Sequence, residues 1–297
     1  MNSLQGHCKN CGAALLGRFC VNCSQAGDVH VPTTRELVHE FLEGLTHSDS
    51  RLWRTLTTLW FKPGKLTTEF VAGRRVAYLP PFRLYLIVSI VFFFIASSMH
   101  TRGELMSFDD ALKPASAPGA PASGEKRITS CNELAAADFL NGHPNWKPRV
   151  KHTCDAMTRD SGDNLFHIAI GTMPKAMFIF LPLIAFLHML MYWHPRHRYA
   201  EQLLFFVHLH AFFFSVAILM SAAVYAGGTW PKISGTTDVL DSLLGWSLPV
   251  YSVLAMRRVF RGGWAATLVK GVALFFVYMI VFGLTVAGVF VYAIWQL

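Results

Sequence analysis

Four cysteines near the start of the chain carry its plainest chemistry. Cys8, Cys11, Cys20 and Cys23 form two Cys-x-x-Cys pairs within "HCKNCGAALLGRFCVNCSQAG". Each pair makes a knuckle that turns two thiolates to one side, and two knuckles complete a closed tetrahedral site for one structural Zn2+. Gly12 follows the second cysteine, as such turns favour. Redox chemistry is the rival, but two pairs occur together here without a βαβ context. A segment of about twenty residues cannot build a core, so the metal would supply its folding energy. A closed site holds shape and meets partners, and it offers no position to a substrate.

A second set of reactive groups lies in apolar sequence. Glu201, His208 and His210 belong to "RYAEQLLFFVHLHAFFF", and His188 to "FLHMLMYWHPRHR". Ionisable groups inside a membrane span are costly and face the interior of a bundle. Glu201 and His208 share a helix face by their spacing. His208 and His210 diverge by about 160° and cannot both ligate one ion from a regular helix. The set reads in two ways: a buried site for a proton, a metal or a lipid headgroup, or histidines that join helices by hydrogen bonds. Nothing in the sequence resembles a metalloprotease pair, a nucleophile elbow, a phosphate-binding glycine loop or a glycosyltransferase carboxylate pair.

The elements that must position these groups are membrane spans. The chain is 53% hydrophobic and 15% charged, and its long apolar runs place it among integral membrane proteins. The expected fold is all-α: a five-helix transmembrane bundle with a small N-terminal zinc ribbon and amphipathic interfacial helices. The zinc ribbon is expected over residues 1–28 and cytoplasmic amphipathic helices over 29–79. The transmembrane domain follows over 80–297, with spans at about 82–99, 174–193, 202–225, 239–256 and 267–296 and an extracytoplasmic loop over 100–172. Basic segments "GRRVAYLPPFR", "HPRHR" and "RRVFRGG" flank the spans on one side. The excess of Lys and Arg in cytoplasmic loops then puts the N-terminus inside and the C-terminus outside an inner (plasma) membrane. The net charge of +8 follows from that topology, and no nucleic acid is expected as a partner.

Before the first span, "TTRELVHEFLEGL" has a capping-box pattern at Thr33 and Glu36 with apolar residues at helical spacing. A second helix is expected from Asp49 or Ser50, carrying Leu52, Trp53, Leu56, Leu59, Trp60 and Phe61. Arg51, Arg54 and Lys62 beside these aromatic residues suit a headgroup layer, and packing on the bundle is the alternative. "KPGKL" is a turn by its Pro-Gly pair. Arg74, Arg75, Arg196, Arg198, Arg257, Arg258 and Arg261 cluster at cytoplasmic helix ends, as topology determinants or as contacts for anionic membrane lipids. The exterior loop holds a Pro/Ala/Ser/Gly tract, together with Cys131 and Cys154. The outside location favours a disulfide between them.

The quoted head, the stretch "RTLTTLWFKPGKLTTEFVAGRRVAYLPPF", the acidic-His segment "YAEQLLFFVHLHAF" and "VYSVLAMRRVFRGGWAATLVKG" together resemble a bacterial family known only as a domain of unknown function. The resemblance implies the same zinc head and multi-pass body, and marks Glu201, His208 and His210 as signature positions. It brings no established activity. Ser24-Gln25 departs from the Gly-Gln commoner in that family. The five-pass layout is also similar to Yip-type trafficking proteins, in architecture alone. Three functions are therefore in view: a non-enzymatic membrane protein whose zinc head recruits a protein partner or orders the membrane, a lipid or small-solute transporter using the Glu/His set, and a membrane metalloenzyme built on His188, His208 and Glu201.

Overall fold

The computed structural model describes residues 7–27, 51–100, 147–159, 163–192, 198–230 and 234–296. The amphipathic segment at 33–45, Arg196 and Cys131 lie outside the described residues, and so does the expected Cys131–Cys154 pair. The described residues are helical after a small N-terminal cysteine head, and they contain no strand. Two short helices come first, α1 (Leu52–Phe61) and α2 (Lys65–Val71). They are followed by α3 (Pro81–His100), α4 (Lys147–Arg159), α5 (Asp163–Met191), α6 (Tyr199–Thr229), α7 (Ser234–Phe260) and α8 (Trp264–Gln296). Five of these, α3 and α5 to α8, are long and apolar enough to cross a membrane. At about 1.5 Å of rise per residue, even the 20-residue α3 matches a hydrocarbon core of roughly 30 Å.

Helix α5, which contains the second expected span, begins earlier than about 174, at Asp163. Its first turns are held by packing: Leu165 and Ala169 are buried with Val289 and Ala293 of α8, flanked by Ile168, Met173, Ala176 and Phe290. These residues form the core of one compact unit, made of residues 96–176 and 283–297.

The other unit comprises residues 1–95 and 177–282 and contains the main core. Helix α6 is its hub. Of the most apolar stretch of α6, 72% is buried, against 17–28% for the other four long helices. A helix with apolar residues all round is one that other helices surround. Leu204, Phe205, Phe206, Val207 and Ala211 are almost completely enclosed. Trp60 of α1 meets Phe212 edge-on at 5.2 Å, and Tyr251 of α7 stacks on the same ring at 3.6 Å.

Helices α1 and α2 pack on the bundle and leave part of their surface exposed. Thr55, Thr58 and Leu59 of α1 are buried, whereas Trp53 and Phe61 are 76% and 80% exposed. The Pro63-Gly64 turn between the two helices rests on α7. Arg258 Nη1 donates to the Pro63 carbonyl at 2.7 Å, and Gly64 takes φ +72, a conformation glycine adopts without a Cβ penalty. Gly73 at φ +86 closes α2, the position after a helix where left-handed backbone is common.

Candidate functional site

The head is a duplicated knuckle. In the first copy Gly12 N–H donates to Cys8 O at 2.8 Å and Cys8 N–H to Ala13 O at 2.7 Å. In the second, Ser24 N–H donates to Cys20 O and Cys20 N–H to Gln25 O, both at 2.8 Å. Isolated bridges join His7 to Ala14 and Phe19 to Ala26. Every partner is shifted by the same twelve positions, and Cys8, Asn10, Cys11 and Ala14 recur as Cys20, Asn22, Cys23 and Ala26. Gly12 and Ser24 fill the same left-handed position, at φ +77 and +58. Glycine is at ease there, and serine adopts it at a small cost.

The two knuckles bring the four thiols together. Their sulfurs lie within 4.8 Å of one another, with Cys8–Cys23 and Cys11–Cys20 each at 3.5 Å. A tetrahedral ion with sulfur bonds of about 2.3 Å needs sulfurs about 3.8 Å apart, so the donor set fits a four-coordinate metal. The four are free thiols rather than disulfides. Cys8 and Cys20 are buried, Cys23 partly so, and Cys11 faces water.

A residue beside the cysteines fastens this head to the body. Gln25 is 4% exposed. Its Nε2 donates to the Gly73 carbonyl at 2.6 Å, and its Oε1 accepts from the amides of Arg75 at 3.2 Å and Val76 at 3.4 Å. The same loop is gripped from α1. Arg51 Nη1 donates to Val76 O at 2.8 Å, and Leu79 N–H donates to Thr55 Oγ1 at 2.9 Å. Arg74 pairs with Glu69, and that hydrogen bond holds the Glu69 carboxyl below its usual range. The head, α1 and α2 thus converge on residues 73–79, immediately before the first span. The sequence marks Gln25 only as part of the Ser24-Gln25 pair after the last cysteine and gives no sign of its partners at residues 73–76.

The membrane polar set is dispersed. Thr67 of α2 and His208 Nδ1 are 3.0 Å apart. His210 Nδ1 is 2.8 Å from the Phe206 carbonyl, which only accepts, so this nitrogen carries the proton. Its Nε2 then accepts from Tyr278 OH of α8 at 3.0 Å. His188 Nδ1 donates to Gln202 Oε1 at 2.6 Å, inside a box formed by Tyr192, Phe205, Phe206 and Phe260. Each histidine therefore joins α6 to a different element or to itself, and the four cysteines are the one metal-sized group among the described residues. Glu201 is half-buried, while its neighbour Gln202 is fully enclosed and bonded to His188. Thr67, Gln202 and Tyr278 were missed, because a partner across helices leaves no spacing in the sequence. Tyr278→Phe is expected to cost about 1–3 kcal/mol by orphaning the His210 acceptor, read from detergent unfolding. An unchanged unfolding curve counts against that bond.

The basic cluster is largely engaged within the chain. Arg75 lies over Phe70 at 4.6 Å and Arg257 over Trp264 at 3.7 Å. Arg74 and Arg258 have the partners already given, and Arg198 and Arg261 face solvent.

These features define a multi-pass helical membrane protein with a small cysteine-held head. The profile of a family described as a protein of unknown function (DUF3667) matches residues 49–93, the stretch that forms α1, α2, the clamped loop and the start of the first span. No curated protein and no solved structure matches the chain.

Proposed function

We propose that this is a non-enzymatic bacterial inner-membrane protein whose zinc-held head is fixed at the membrane surface to recruit a protein partner. The observation that carries the reading is the buried Gln25 clamp. It anchors a head that keeps Leu16, Phe19 and Val21 at 83%, 62% and 76% exposure. A head that floated freely would gain little from such anchoring, whereas a docking platform needs a fixed orientation. Zinc suits four thiolates without an open position. The clamp also puts the head beside Arg74 and Arg75, and Arg258 of α7 meets the Pro63 carbonyl, a concentration of basic residues that supports a cytoplasmic head by the positive-inside rule. In the exterior loop, a Cys131–Cys154 disulfide agrees with that orientation.

The test is photo-crosslinking in native membranes from p-benzoylphenylalanine at position 19. A discrete protein adduct that disappears in Leu16→Asp is expected. Labelling confined to lipid overturns the reading. The transporter alternative has one observation in its favour: Gln202 Nε2 is buried without a hydrogen-bond partner among the described residues, as an amide reserved for a ligand would be. The metalloenzyme alternative lacks a comparable observation, since His188, His208 and Glu201 do not converge.

A further inference from the structure

The twelve-residue repeat makes the two halves of the head comparable position by position. At equivalent places stand Ala13 and Gln25, each accepting through its backbone carbonyl from the amide of the first cysteine of its own knuckle. The first copy ends in a methyl group. The second ends in a carboxamide that reaches across 48 to 51 positions of sequence to make three hydrogen bonds with residues 73–76. The backbone of Gln25 is set by the Cys20–Gln25 and Ser24–Cys20 bonds, which belong to the knuckle fold. Among its described residues the head has no apolar core of its own: those buried are Cys8, Cys20 and Gln25 itself. The knuckle exists only while the four thiolates are gathered by their ion.

We infer that Gln25 makes the head a metal-dependent latch on the start of the first span. With the metal in place, the carboxamide pins the Gly73 carbonyl and the Arg75 and Val76 amides. When the metal leaves, the knuckle that aims Gln25 is lost and these groups are released. Arg51 and Thr55 still hold Val76 O and Leu79 N–H from α1, so release loosens residues 73–76 and leaves the helices packed. Cys11 is exposed to solvent, which gives a chelator or a competing thiol access to the ion. The latch rests on the metal-head reading and assigns that head a regulatory role: it reports metal supply to the membrane-entrance loop.

The experiment is hydrogen–deuterium exchange of the full chain in detergent, with zinc content measured on the same sample. In the native protein, a zinc chelator is expected to speed exchange of peptides covering residues 73–79 by roughly five- to tenfold, the equivalent of one ordinary hydrogen bond. Adding Zn2+ back restores protection, and peptides of α6 stay unchanged throughout. Gln25→Ala, which is not a metal ligand, should keep one zinc yet already exchange fast at 73–79, with no further response to the chelator. Gln25→Glu keeps the acceptor for both amides and should be intermediate. The latch is overturned if zinc-loaded Gln25→Ala is as protected as the native chain, or if metal-stripped native protein retains slow exchange. A native chain that binds no zinc fails earlier and for a different reason, because it removes the metal head itself.

Discussion

Cys20→Ser is expected to abolish metal binding and unfold the head while the five long helices keep their packing. Cys20 is 2% exposed and its sulfur lies 3.5 Å from that of Cys11. A serine hydroxyl stays protonated near neutrality and is a poor zinc ligand beside three thiolates. Three thiolates alone leave an open position that water fills, which weakens a structural site and exposes it to exchange. Structural zinc contributes about 10–16 kcal/mol of apparent binding energy in small peptides, and among the described residues of the head no apolar side chain besides the cysteines is buried to replace it. Native mass spectrometry should show one zinc per chain in the native protein and none in the variant. Far-UV circular dichroism should barely change, because the described residues of the head contain no helix. A variant that retains stoichiometric zinc sinks the four-thiolate site. Loss of the whole helical signal would mean that the head supports the body far beyond the three bonds of Gln25.

The head and the membrane body differ in how much of their structure is legible in sequence. The cysteine spacing is enough to expect a metal site, because four like ligands at fixed intervals admit few other purposes. The repeat around them is short but present in the sequence, since Asn10 and Ala14 recur as Asn22 and Ala26, while His7 answers to Phe19, Lys9 to Val21 and Ala13 to Gln25. In the body, apolar runs locate the five long helices, and only packing sets their ends. The apolar run suggests a second span from about 174, yet α5 reaches back to Asp163, with Leu165 and Ala169 buried near its start. The polar set illustrates a further limit. Charge draws attention to Glu201, but helical geometry turns the adjacent Gln202 inward to His188. The pairing of His208 with Thr67 spans 141 positions, and no periodicity within one helix can announce it.

Gly64→Ala should destabilise the protein by about 2–4 kcal/mol, the sum of a left-handed backbone penalty and an overpacked contact. Gly64 sits at φ +72, and a Cβ there would lie 2.9 Å from the Ala255 carbonyl oxygen, 3.1 Å from Ala255 Cα and 3.2 Å from Val259 Cγ2. The first two are backbone atoms of α7 and cannot swing aside as a side-chain end would. The turn must lift, and it carries α2 with it. That movement strains the Arg258–Pro63 bond at one end of α2, the Thr67–His208 contact in its middle and the Gly73 carbonyl held by Gln25 at the other. Unfolding in increasing SDS should therefore shift markedly for Gly64→Ala. Gly245→Ala provides the control, because Gly245 lies within α7 with nothing within 4 Å of its added Cβ, and alanine there should be neutral or slightly stabilising. Equal unfolding of the two variants would mean that the turn is not seated on α7. If the curves separate as expected, exchange at residues 73–79 should rise in Gly64→Ala with zinc still bound, because α2 is the lever that joins the seat on α7 to the loop beneath the head.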